Sequence, residues 1–234
     1  MSAIYKRDIF SYFVTPIGYV FLATFYGISG FYFFAYQLYS GSSDFSPLFG
    51  TLFTFVIFLI PLITMKMFSE EKKYKTDQAL LTAPVNLWQV VMGKYFAALT
   101  VFGAAISVTI IFLLIVKTHG NADMPVFWGH FLGLFLLGGA LTAIGMFVSS
   151  LTESQVISAV GTVAFGIFFM FIDSVGNMLG SDIAVKICNY LSFFSHYQDF
   201  TTGLLNIADI VYFVSIIFLF CFLTVKVIDK KRWA

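Results

Sequence analysis

Six apolar runs constrain this chain more than any other feature. They fall at about residues 17–39, 48–67, 95–116, 126–148, 156–172 and 210–227, each with roughly the 17 to 25 residues a helix needs to cross a bilayer core. Peptide groups inside hydrocarbon must be satisfied within their own segment, so runs of this length fold as helices. The expectation is an all-α, polytopic membrane protein with six transmembrane helices, forming one domain over residues 1–234. Charged residues make up 11% of the chain, against about 25% in a soluble domain. The net charge of +1 gives no nucleic-acid signature, and no nucleic-acid partner is expected.

The basic residues orient the spans. Six crossings put both termini on one side, together with the second and fourth loops. That side holds Lys6, Arg7, Lys66, Lys72, Lys73, Lys75, Lys94, Lys226, Lys230, Lys231 and Arg232, and the other holds Lys117 and Lys186, so 11 of the 13 lie together. The positive-inside rule then predicts cytoplasmic termini in a multi-pass protein of the cell (inner or plasma) membrane. Before the first span, Tyr5, Ile9, Tyr12 and Phe13 fall at i, i+4, i+7 and i+8, which predicts an amphipathic helix in the interface, broken at Pro16. No cleavable signal peptide is expected. Pro61 predicts a kink in the second span. Asn86 with Gln89 three residues later predicts a capping box and a helix start at Leu87.

Between the second and third runs lies the one densely charged stretch. Glu70, Glu71, Lys72, Lys73 and Lys75 form a charged neck. Thr76 can cap a short helix, Asp77 suits its first turn, Leu80 and Leu81 give it an apolar side, and Pro84 lets the chain turn out. Such a helix would offer an apolar knob to a cytoplasmic partner. The alternative is a solvated linker whose lysines rest on anionic membrane lipids.

Residues 173–209 are expected outside, yet much of this stretch is apolar, in two pieces neither of which is long enough to span. Ile183, Ile187, Tyr190 and Leu191 share one helical face, followed by Phe193, Phe194, His196, Tyr197, Phe200 and Gly203. They read as short helices dipping into the outer leaflet, or as a helix pair on the outer surface. Asp173 is expected to be a solvated span end. Gly129 with Gly133, and Gly139 with Ala143, have the spacing that lets helices approach closely, within the bundle or between subunits.

Several chemistries are excluded or disfavoured. Gly93-Lys94 lacks the glycine spacing and the Ser or Thr of a P-loop. His119, His130 and His196 lie on separate segments without metal-ligand spacing, and read as loop or interfacial histidines. There is no Gly-x-Ser-x-Gly elbow. No Asp, Glu or Lys falls mid-span, which argues against a proton-coupled carrier. Cys188 and Cys221 read as free structural thiols.

Residues 68–85 read Phe-Ser-Glu-Glu-Lys-Lys-Tyr-Lys-Thr-Asp-Gln-Ala-Leu-Leu-Thr-Ala-Pro-Val. This phrase resembles one in the permease subunits of bacterial type-2 ABC exporters. It is most similar to the branch of gliding-motility and nitrous-oxide-reductase-maturation permeases. Lys6-Arg7-Asp8, Tyr12-Phe13, Pro16-Ile17, Ser149-Ser150-Leu151-Thr152-Glu153, Leu191-Ser192 and Ser195-His196-Tyr197 extend the resemblance along the chain. Lys75 stands where the family usually has glycine, and Asp77 where it has glutamate.

The resemblance implies an N-terminal elbow helix, a cytoplasmic coupling helix and short re-entrant helices before the sixth span. It also implies a separate cytoplasmic ABC ATPase subunit that carries ATP and Mg, and a second permease, identical or homologous. This chain would itself bind no cofactor and catalyse no reaction. The rival readings are a membrane enzyme or assembly factor with a lipid-binding basic loop, or a secondary carrier.

Overall fold

The computed structural model describes residues 1–76, 86–119, 123–180, 182–203 and 206–232. Among these residues there is no strand. Within the described residues, six helical stretches are long and apolar enough to cross a membrane.

Local chemistry sets the helix boundaries. Helix α1, Ser2–Val14, stops at Thr15, which is extended, as a residue before proline prefers. Pro16 then opens α2, Pro16–Phe33, where its missing N–H costs nothing. A π-helical segment, Phe34–Tyr39, continues α2. Helix α3 is Ser46–Thr64 and runs through Pro61, with the Met65 N–H bonded to the Pro61 carbonyl at 2.9 Å. A short helix, α4, spans Ser69–Lys73.

Asn86 caps α5, Leu87–Ile106, with its side chain accepting from the Trp88 N–H at 3.0 Å. The cap therefore reaches the second helical residue, not the third as a capping box would. Helix α6, Val108–His119, follows a break at Ser107, so the third apolar run is two helices rather than one. Helix α7 is Met124–Leu151, capped by Asp123. Helix α8 is Gln155–Leu179, capped by Ser154. It runs past Ile172, the expected end, because Asp173, Ser174 and Asn177 end the apolar run without breaking the helix. Two short helices follow, α9 at Asp182–Leu191 and α10 at Phe193–Thr201, before α11 at Ile207–Arg232.

Helix α7 is the centre of the bundle. Of its span, 72% is buried inside the protein, against 22% for α8, most of which is exposed. The small residues of α7 explain this. A Cβ on Gly129 would lie 2.3 Å from the Phe200 carbonyl oxygen, so only glycine lets α10 sit this close. Gly139 lies against Tyr95 of α5 and Ile217 of α11. Both small-residue pairs therefore lie in close contacts within the chain. Cys188 and Cys221 are free thiols.

Candidate functional site

The charged stretch begins where α3 ends, and three neighbours fix it. The first is the end of α7. The Ser149 hydroxyl accepts from the Phe68 and Ser69 N–H groups, each at 3.1 Å, and donates to the Met65 carbonyl at 3.2 Å. It thus satisfies donors at the start of α4 that no helix bond could reach. Lys72 is buried, and its Nζ donates to the Ser150 carbonyl. Ser69 donates to the Met65 carbonyl.

The second neighbour is α5. Lys94 is only 4% exposed. Its Nζ donates to the Met67 carbonyl and to Glu71 Oε1, both at 2.8 Å, and lies 3.5 Å from Asp8 Oδ2. It also sits 5.0 Å from the Phe68 ring centre. A buried ammonium is tolerable only with such partners.

The third neighbour is α1. Arg7 Nη2 donates to Glu71 Oε1 at 3.0 Å, and Arg7 Nε to Asp8 Oδ1 at 2.8 Å. Burial pushes the Arg7 pKa down, but Asp8 and Glu71 together hold it above its ordinary value. Burial, and after it Asp8, pushes the Tyr12 phenol well up, so the hydroxyl stays neutral and donates to the Ile63 carbonyl at 2.8 Å. Lys66 Nζ donates to Thr15 Oγ1 at 2.7 Å. Between α1 and the α3–α4 junction lies a cavity of about 360 Å³, lined among others by Arg7, Lys66, Glu70, Glu71 and Lys94.

The predicted site residues thus divide. Glu71 and Lys72 are anchors, Glu70 lines the cavity, and Lys73 and Lys75 are exposed. Thr76 points backward: its N–H and hydroxyl both bond the Glu71 carbonyl, at 2.9 and 3.2 Å. Lys75 has φ 57, the left-handed region where glycine is at ease, which accounts for the glycine that the resemblance expects there. Asp77, Leu80, Leu81 and Pro84 lie outside the described residues.

At the other end of the bundle, Ile183, Ile187, Tyr190 and Leu191 are exposed, and α9 packs on α8 by its opposite side. Tyr197 is buried, and its hydroxyl lies 3.3 Å from His130 Nδ1. Gly203, at φ 75, closes the turn after α10 against Val126. His130 is not an interfacial histidine. It is 1% exposed, stacked on Phe49, with Nε2 3.3 Å from Ser46 Oγ. His196 pairs with Asp209, as described below.

Arg7, Asp8, Lys94, Ser149 and Ser150 are site residues that the sequence did not single out as such. The available signal was Lys94 itself, a lysine about two turns into an apolar helix. Its acidic partners come from 23 and 86 positions away, distances no local pattern spans.

Among the described residues, six helical stretches long and apolar enough to cross a membrane mark a multi-pass membrane protein, with an ionic network at the Lys94 end. The chain belongs to the ABC-2 family transporter proteins, whose family pattern matches residues 6–228. It is therefore a membrane permease component of an ABC transporter, a family whose permeases work with an ATPase subunit. No curated protein matches the chain.

Proposed function

We propose that this permease is the export path of an ATP-driven transporter, and that residues 70–84 receive the work of a separate cytoplasmic ATPase. The observation that carries the reading is the junction at Glu71. One carboxylate holds Arg7 of α1 and Lys94 of α5, while the adjacent Lys72 and the Ser149 hydroxyl hold the end of α7. A displacement applied just beyond Thr76 would reach α1, α3, α5 and α7 together. Packed, ion-paired elements pass such a displacement on as a unit rather than absorbing it.

In this reading both termini are cytoplasmic, residues 77–83 form the coupling helix, and α9 and α10 are the re-entrant pair. A second permease completes the path, and ATP and Mg sit on the ATPase. The phrase at residues 68–85 favours the branch of gliding-motility and nitrous-oxide-reductase-maturation permeases. The test is co-purification with the cognate ATPase and ATP-driven transport. Leu80→Asp and Leu81→Asp should lose both while the permease still inserts and folds. Full binding and transport in both variants would remove the coupling assignment.

A further inference from the structure

The end of the bundle formed by α9, α10 and the first turn of α11 carries a titratable cluster that the coupling reading does not use. His196 Nδ1 lies 2.5 Å from Asp209 Oδ1, and His196 Nε2 lies 3.2 Å from the Tyr190 carbonyl. Both ring nitrogens therefore face acceptors. A neutral imidazole has one N–H and can satisfy one of them; the imidazolium satisfies both. The ring is stacked on Tyr212 at 3.8 Å between centres, and the Tyr212 hydroxyl donates to the Leu191 carbonyl at 2.7 Å. Asp209 is 2% exposed, and its Oδ2 has no hydrogen-bond partner among the described residues.

We infer that His196 and Asp209 form a proton-operated latch that ties the α9–α10 corner to α11, closed when the imidazole is protonated. When the ring loses a proton to water, Asp209 retains the remaining N–H at Nδ1, because the charge-assisted bond is the stronger. The Nε2 lone pair then faces the Tyr190 carbonyl, and the corner at residues 190–193 loses that tie. Acid closes the corner and neutral to alkaline pH loosens it.

Charged and titratable groups face the pair from every neighbouring helix. Helix α10 adds Asp199, whose carboxyl is pushed up by burial and then by Asp209, with His196 opposing. Helix α11 contributes Asp209 and Tyr212. On α9, Tyr190 offers its carbonyl, while Asp182 and Lys186 are exposed. Helix α7 brings His130, bonded to Tyr197 and Ser46. Helix α8 meets α10 through Phe169, stacked on Phe193 at 4.7 Å, and its Asp173 bonds the Ser174 N–H at 2.8 Å.

The test is hydrogen–deuterium exchange of the full-length protein in lipid nanodiscs between about pH 5 and 8, the range in which histidine ordinarily titrates. Rates are corrected for intrinsic exchange. Protection of residues 190–203 should fall about tenfold as pH rises, the size of one lost charge-assisted hydrogen bond. His196→Gln should hold protection at one pH-independent level. Tyr212→Phe removes the other tie to the corner, so it should lower protection at every pH and leave the midpoint where it was. Protection in the wild type that does not change with pH would overturn the latch. So would an unchanged pH profile in His196→Gln. Should that variant not fold, a wild-type midpoint in Asp209→Asn would overturn it equally.

Discussion

The end of the bundle at Lys94 and the end at His196 hold buried charge in different ways. At the first, Lys94, Arg7, Asp8 and Glu71 share one network, and Glu71 Oε1 alone serves both cations. These are residue types that ordinarily change charge far from neutral pH. At the second, the pair is a carboxylate and an imidazole, whose charge ordinarily changes within the physiological range. The same device, a buried pair of opposite charges between helices, is built at one end from residue types that ordinarily keep their charge and at the other, in the latch inferred above, on a histidine. A junction that must transmit force needs the first kind. A junction that must open on a signal can use the second.

The largest expected effect breaks this comparison most directly. Lys94→Met removes the cation and leaves Glu71 and Asp8 beside it without their buried partner. Breaking a buried pair from one side costs about 3–5 kcal/mol. Denaturant unfolding in mixed micelles should show a loss of that order, equal at pH 6 and pH 8 within about 0.5 kcal/mol, since no residue of the network is a histidine. A loss that varied strongly between those pH values would erase the distinction between the two ends.

The next effect asks whether the far end is held by packing as well as by charge. Gly129→Ala would place a Cβ 2.3 Å from the Phe200 carbonyl oxygen, and backbone cannot swing aside as a side-chain tip can. Overpacking of this kind costs about 1–3 kcal/mol. Gly30→Ala has nothing within 4 Å, and should stabilise by about 0.5–1 kcal/mol through helix propensity. Equal effects at the two positions would mean that α10 is not seated on α7 as described.

The helices were legible in the sequence, and the ties between them were not. Each span announces itself through a local quantity, about 20 apolar residues in a row. Asn86 likewise marks a helix start one residue before the helix it caps. The break at Ser107 left no such mark, because Ile106 and Val108 on either side are as apolar as the helices they belong to. The α8 extension to Leu179 was hidden for the opposite reason: hydropathy ends at Asp173 while the helix does not. From the sequence His196 reads as a loop or interfacial histidine and Asp209 is not singled out, because each is ordinary alone. Only the fold stacks one on Tyr212 and buries the other. The charged neck was recognised as a site, but its anchors Ser149, Ser150 and Lys94 come from helices that the chain reaches later.

A smaller effect bears on the Lys94 end. Lys75 holds a left-handed conformation at the close of the α4 turn, at about 1–2 kcal/mol for an ordinary residue. Lys75→Gly should recover about 1 kcal/mol of stability, read by the same unfolding assay, with the ionic network intact. Lys75→Val should lose stability, because a β-branched residue tolerates this conformation least. If the two substitutions moved stability in the same direction, residue 75 would not be under the backbone strain described.

The smallest expected effect belongs to Asp199 and sharpens the account of the His196 end. Its carboxyl is pushed up by burial first and by Asp209 second, with His196 opposing. Asp199 is exposed, so solvent keeps the consequence well below about 1 kcal/mol. The sign follows from proton linkage. The folded protein holds this proton more tightly than the unfolded chain does. Stability therefore declines as pH rises from the ordinary carboxylate range through the raised folded value, and this contribution is flat above it. Asp199→Asn should flatten that part of the curve, read as unfolding free energies over a pH series. A variant that instead steepened the acid-side decline would mean that Asp209 is not what disfavours the Asp199 charge. The acid side of the corner would then depend on His196 alone.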